Sequence, residues 1–137
     1  MDRRRRFSAF VAAEREPRAT ILESLAFTRE FLEGTGLDET ARNRTAIVVE
    51  ELVSNTLRHG GRDHDINLWM SLEDARHAVR LTIEDDGKGF DPTASSSFAG
   101  PDPHSGGSIG LAIVRAWAQD MDYRRIAERN VLNLSIG

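Results

Sequence analysis

Glu51 and Asn55 stand four positions apart in a stretch that reads Glu51-Leu-Val-Ser-Asn55. On a helix, that spacing projects both side chains from one face. A carboxylate there can take a proton from a hydroxyl, and an amide oxygen can ligate Mg²⁺ without adding charge. A structural alternative exists, in which Glu51 pairs with an arginine and Asn55 caps a neighbouring turn. Residues 85–89 read Asp-Asp-Gly-Lys-Gly, directly after the apolar alternation of Val79, Leu81 and Ile83. Asp85 at a strand end can accept hydrogen bonds from an exocyclic amine, while Gly87 and Gly89 permit positive φ and close backbone approach. By itself the segment also reads as an ordinary turn. The third segment, Gly106-Gly-Ser-Ile-Gly110, leads into a helix whose free N–H groups and dipole favour phosphate. In this order the three segments describe a nucleotide site: a carboxylate for the base, an amide for the metal, glycines for the phosphates.

Other chemistries fit less well. Gly87-Lys88-Gly89 has neither the spacing nor the Ser/Thr of a phosphate-binding P-loop, and the strand-turn-helix context of a dinucleotide fingerprint is missing. A calcium loop would need a closing glutamate that is not there. The four histidines, His59, His64, His77 and His104, have no tight ligand spacing, which argues against zinc. Zero cysteines exclude disulfides and thiolate metal sites and suit a reducing cytoplasm.

Those segments need a scaffold. A chain of 137 residues, 39% hydrophobic and 29% charged, is expected to form one globular domain over 1–137. A net charge of −4 argues against direct nucleic-acid binding. No apolar run reaches the roughly 18 residues needed to cross a bilayer. Arg3 to Arg6 precede no signal-like apolar stretch, so the expected location is cytoplasmic and the run reads as the solvated start of an edge strand through Phe7, Ala9 and Val11. Ile21, Leu22, Leu25, Ala26 and Leu32 predict a helix from Arg18 to Glu33, with Pro17 just inside its start. Asp38 is suited to cap a second, buried helix that runs to about Arg58. Strands are expected at 65–72 and 77–84 around a turn at Glu73–Arg76, and again at 121–126 and 131–136. A helix is expected over 109–118, and Trp69 and Trp117 read as packing residues. Residues 91–107, with three prolines and a serine run, read as a long mobile loop. The order of elements predicts an α+β fold, a mostly antiparallel sheet with helices on one face.

Three stretches carry a resemblance: Glu51-Leu-Val-Ser-Asn55-Thr-Leu-Arg-His59-Gly60, Asp85-Asp-Gly87-Lys-Gly89-Phe90 and Ser108-Ile-Gly110-Leu-Ala-Ile-Val. They resemble the GHKL superfamily of Bergerat-fold ATPases, and more narrowly the anti-sigma-factor serine kinases. The resemblance implies a two-layer α/β sandwich that binds ATP and Mg²⁺. It implies Glu51 as general base, Asn55 as Mg²⁺ ligand and Asp85 as adenine contact. Gly87, Gly89, Ser108, Ile109, Gly110 and Leu111 would line the nucleotide, with 91–107 as the ATP lid. Family members often carry glycine at the position of Ser108 and Gly-Thr at that of Arg129-Asn130, so Asn130 would take the place of the threonine beside the adenine contact. The implied activity is phosphorylation of a serine on a small antagonist protein. The implied partner is a sigma factor or similar output protein, with neither nucleic acid nor membrane; a homodimer is compatible. No Lys or Arg lies between Lys88 and Arg115, a composition that also suits a nucleotide-dependent binding module with little transfer activity.

Overall fold

The computed structural model describes residues 3–60, 63–89, 91 and 107–137, of which 59, 60 and 107–109 by their backbone alone. The elements run β1 (Arg4–Val11), α1 (Arg18–Glu33), α2 (Glu39–Gly60), β2 (Ile66–Ala75), β3 (Ala78–Asp85), α3 (Gly107–Trp117), β4 (Ala118–Ile126) and β5 (Arg129–Ile136). The five strands form one antiparallel sheet in the order β1-β2-β3-β5-β4.

Strand alternation sorts the sheet into two faces. Ile66, Leu68, Met70 and Leu72 of β2 face the same way as Val79, Leu81 and Ile83 of β3 and Leu132, Leu134 and Ile136 of β5, and all are buried. Against this surface lies α2, whose Val48, Val49, Leu52 and Val53 are almost wholly enclosed. It packs on β3 and β5 below and on α1 and α3 at its sides. The opposite face carries Arg4, Arg6, Trp69, Ser71, Glu84 and Arg129 around an open groove of about 450 Å³. This is the expected two-layer α+β architecture with helices on one face.

Local chemistry sets the element ends. Asp38 Oδ1 accepts the Ala41 backbone N–H at 2.8 Å, capping α2 as its sequence suggests. Pro17 lies one residue earlier than expected, at the N-cap of α1. Arg4 to Arg6 are exposed as expected, and Arg3 alone departs: its Nη1 donates to Phe31 O at 2.8 Å, and its guanidinium sits 4.7 Å from the Phe31 ring centre. The last turn of α1 has no basic residue of its own, and Arg3 brings a cation to that negative end from the neighbouring strand.

Two boundaries stand out against expectation. The β2–β3 turn falls at Arg76–His77, because Glu73 pairs with Arg80 and Asp74 with Val79, extending both strands past the expected turn. Opposite charges facing each other across a ladder favour that extension. β4 starts at Ala118, directly after α3, and its register shifts between Gln119 and Asp122. Trp69 packs on the open face under the guanidinium of Arg129, 4.1 Å away, while Trp117 packs at the core's margin. Of the segment expected to form a lid, 91–107, all but 91 and 107 lie outside the described residues, as does Phe90.

Candidate functional site

Asp85 continues the inward row of Val79, Leu81 and Ile83, so a carboxylate ends a buried apolar strand face at 5% exposure. Burial pushes its pKa up. Hydrogen bonds from the Asn130 side chain and the Gly87 backbone pull the other way, neighbouring Asp86 adds to the rise, and Arg125 opposes it. The strand register supplies these partners: Asn130 on β5 pairs with Asp85 on one side and with Arg125 of β4 on the other. Asn130 Nδ2 donates to Asp85 Oδ1 at 3.0 Å and to Lys88 O at 2.9 Å. Its Oδ1 accepts from Arg125 Nη1 at 3.1 Å and from the Tyr123 hydroxyl. The Gly87 N–H donates to Asp85 Oδ1 at 2.9 Å, and Gly87 O accepts from Arg125 Nη1 at 2.8 Å.

Asp86, one residue on, faces a different fate. Its carboxylate takes the Asn67 N–H at 2.7 Å and Asn67 Nδ2 at 3.0 Å. Slight burial raises its pKa, but the bonds from Asn67 outweigh that and hold it below the ordinary value. Adjacent carboxylates pushed in opposite directions are a mark of differentiated roles. Gly89 does not take the left-handed φ its sequence context suggested. A Cβ there would meet only Arg125 side-chain atoms, the nearest at 3.8 Å. The turn is already closed upstream, where Asp85 Oδ1 binds the Gly87 N–H.

Glu51 and Asn55 occupy one face of α2, a turn apart. Burial raises the Glu51 pKa and nearby Glu50 raises it further, while Arg58 acts against both through space. The Glu51 carboxylate fills the space that Gly110 leaves in the first turn of α3: a Cβ at 110 would stand 1.9 Å from Glu51 Oε2. The backbones of Ser108 and Ile109 lie in that same turn, with side chains outside the described residues, and Leu111 behind them is buried. Asn55 is 7% exposed, and its Nδ2 has no hydrogen-bond partner among the described residues. An unpaired buried amide costs roughly 1–3 kcal/mol, a cost that a bound ligand can remove. The partners of a purely structural pair are missing: among the described residues Glu51 forms no ion pair with an arginine.

The donor set fits Mg²⁺. A neutral carboxamide oxygen is a hard ligand, and Mg²⁺ is commonly bound through one or two protein groups plus substrate phosphates. No group of three or more His, Cys, Asp or Glu among the described residues could cage a metal, so the ion would be held by single groups such as the Asn55 carboxamide oxygen.

The two parts lie on the same, helix-covered side of the sheet, because α2 packs on β3 and β5 and against α3. Of the residues singled out from the sequence, Glu51 lies one helical turn from Asn55 and against Gly110, and Asp85, Gly87 and Asn130 share one hydrogen-bonded group; Tyr123 and Arg125, which join that group, were not among them. Their spacing of two on a strand hinted at a shared face, but nothing in the sequence placed that face opposite Asn130.

Residues 14–136 match the model of a family described as the histidine kinase-like ATPase domain, a span that takes in every site segment. No curated protein matches the chain.

Proposed function

Because the chain belongs to the histidine kinase-like ATPase domain family, we propose that it is an ATP- and Mg²⁺-dependent serine protein kinase working as an anti-sigma-type switch. Membership in that family supports ATP binding and ATP-using chemistry in general. The finer reading rests on one observation: a half-buried glutamate with raised proton affinity, set against the first turn of α3 and one helical turn from a carboxamide whose Nδ2 has no partner among the described residues. That combination suits a general base beside a phosphate-binding helix end.

In this reading Asp85 accepts the exocyclic amine of adenine, and Gly87 lets the backbone approach the base. Asn55 would hold Mg²⁺, which when bound neutralises phosphate charge. The free N–H groups at the start of α3 would face the phosphates, and Gly110 keeps that approach open. Glu51 would accept the proton of a serine hydroxyl as the phosphoryl group passes to it. The serine would belong to a small antagonist protein, and the switch would sequester a sigma factor or similar regulator in the cytoplasm.

The experiment is direct. Labelled ATP is incubated with the chain and a candidate antagonist, and the product is tested for acid stability. An acid-stable phosphoserine is expected; an acid-labile product would mean transfer to histidine, and no transfer would leave nucleotide binding alone. A second reading, a nucleotide-dependent protein-binding module, is favoured by the absence of Lys and Arg between Lys88 and Arg115. It expects nucleotide-dependent capture of the partner with no phosphoryl transfer.

A further inference from the structure

β1 is an edge strand: it pairs with β2 on one side and with no described strand on the other. The ladder decides which of its backbone groups face outward. Asp74 N donates to Arg3 O at 2.8 Å, and the register, with Arg4 facing Glu73, puts those two residues opposite each other. In an antiparallel pair such residues turn N–H and C=O toward the partner, and the alternate residues turn theirs away. On the far side of β2, Asp86 N donates to Asn67 O at 3.3 Å, which fits the same phase. The N–H and C=O groups of Arg4, Arg6, Ser8 and Phe10 therefore point along the free edge, with no backbone partner among the described residues. Side-chain alternation sends the same four residues to the open face, across from Glu73, Ser71, Trp69 and Asn67. All four are exposed. Arg4 Nε donates to Ser71 Oγ at 3.0 Å, and neither Arg4 nor Arg6 forms an ion pair among the described residues. The two arginines line the groove of about 450 Å³ together with Ser8 and Trp69. One row of positions thus carries both an open backbone edge and cations without a counter-charge.

We propose that β1 is a docking edge for an extended acidic segment of a partner protein, which adds a further strand and sets carboxylates at alternate positions against Arg4 and Arg6. Residues two apart on a strand stand about 7 Å apart, so acids at every second position of the segment match the two arginines rung for rung. In such an addition backbone hydrogen bonds supply affinity, and the alternate side chains supply specificity. Opposite charges facing each other across a ladder stabilise it, and like charges destabilise it. The run Arg4 to Arg6 therefore repels a second copy that lays its own run alongside, and it favours an acidic partner. Both arginines lie on the open face, away from the helix-covered site, and docking here needs no nucleotide.

The probe is a fluorescent peptide, Thr-Glu-Thr-Glu-Thr-Glu-Thr, followed by anisotropy as the full chain is added without nucleotide. It should bind at least about tenfold more tightly than Thr-Thr-Glu-Glu-Glu-Thr-Thr, which has the same charge but sends neighbouring acids to opposite faces. N-methylation of the glutamates removes the N–H groups that would face β1 and should abolish binding. N-methylation of the threonines between them should cost about threefold or less. In the chain, Ser8→Pro removes an outward N–H and no ladder bond, so it should fold and lose about tenfold in affinity. Arg4→Glu with Arg6→Glu should lose the acidic peptide and bind Thr-Lys-Thr-Lys-Thr-Lys-Thr instead. Amide exchange of Arg6 and Ser8 should slow on binding, while Phe7 and Ala9, which face β2, stay as they were. Thermal melts check each variant; if Ser8→Pro does not fold, the N-methylated peptides carry the backbone test alone. Equal binding of the alternating and blocked peptides would mean charge attraction without strand addition and overturns the proposal. A folded Ser8→Pro variant with parent affinity overturns it too, as does a parent that ignores the alternating peptide or takes the lysine one equally well. So does a chain that dimerises through this edge and excludes the peptide. Each of these failures leaves the nucleotide-site reading standing.

Discussion

Around Asp85, hydrogen bonds connect one described neighbour to the next: Asn130 uses both ends of its amide, and Arg125 and Tyr123 stand behind it. Along α2 the picture reverses. Asn55 keeps a buried amide nitrogen without a partner among the described residues, and Glu51 holds a carboxylate in a place that raises its pKa, crowded against Gly110. In the proposed reading the first group would be the base end, already paired among the described residues, and the second the phosphate end, with a donor left for a ligand. Pre-organised groups lose little entropy when a ligand arrives, so the base end suits recognition. Groups that are costly in isolation and satisfied by a ligand suit a place where charge must change hands. In that reading a rigid grip on the base and an unfinished phosphate end would divide binding from chemistry.

Breaking the phosphate end should cost the most. Glu51→Gln is expected to lower phosphoryl transfer by roughly 10²–10⁴ while ADP affinity stays within about threefold, as read by single-turnover kinetics and calorimetry. Transfer at the parent rate would make Glu51 structural. Breaking the base end comes next: Asp85→Ala removes a charge-assisted pair worth roughly 1.5–3 kcal/mol, so ATP affinity should fall on the order of 10- to 150-fold, with or without Mg²⁺. Asn55→Ala should weaken ATP binding about tenfold in Mg²⁺ and little in its absence, a dependence that Asp85→Ala should not share. Titrations with and without the metal separate the two ends.

Two smaller effects sharpen the contrast through stability. Ala127 and Glu128, in the tight turn that sets Arg125 opposite Asn130, take φ of 50° and 64° without being glycine. Glu128→Gly should relieve strain of about 1 kcal/mol, visible in denaturant unfolding, and leave ADP affinity unchanged if the base end is already in place. Glu51→Gln should change stability with pH. Burial raises the Glu51 pKa in the folded chain, so its carboxyl contributes stability below the ordinary glutamate value that is lost as pH rises through the raised one. The glutamine variant lacks that loss and should gain on the parent across the same window, then hold a constant advantage at neutral pH. Thermal melts over a pH series read it; a gap that narrows toward neutral pH would contradict the sign.

Much of this was legible before any coordinates. The strand at β2 announced itself by strict alternation, and Asp38 by its place before a periodic helix, because both signals are local. Arg3 was not legible as a helix-end partner, since Phe31 is distant in sequence and only the packing of β1 beside α1 joins them. Trp69 followed its alternation to the polar side, where its packing partner is the Arg129 guanidinium. The β4–β5 turn gave little warning, because Ala127 and Glu128 are poor turn residues, and the register they create is what hands Arg125 to Asn130.

The sequence by itself determined the residue types and their local spacing: a carboxylate and an amide one helical turn apart, an Asp-Gly turn at a strand end, a glycine at a helix start. These follow from the 3.6- and 2-residue periods, which operate over a few positions. Only the tertiary structure decided that Asn67 holds Asp86, why Gly110 must stay small against Glu51, and that Arg125 stands behind Asn130. Those choices depend on strand order and register. A one-residue slip would send every side chain of a strand to the other face, and what opposes that slip is the burial of the whole apolar surface at once.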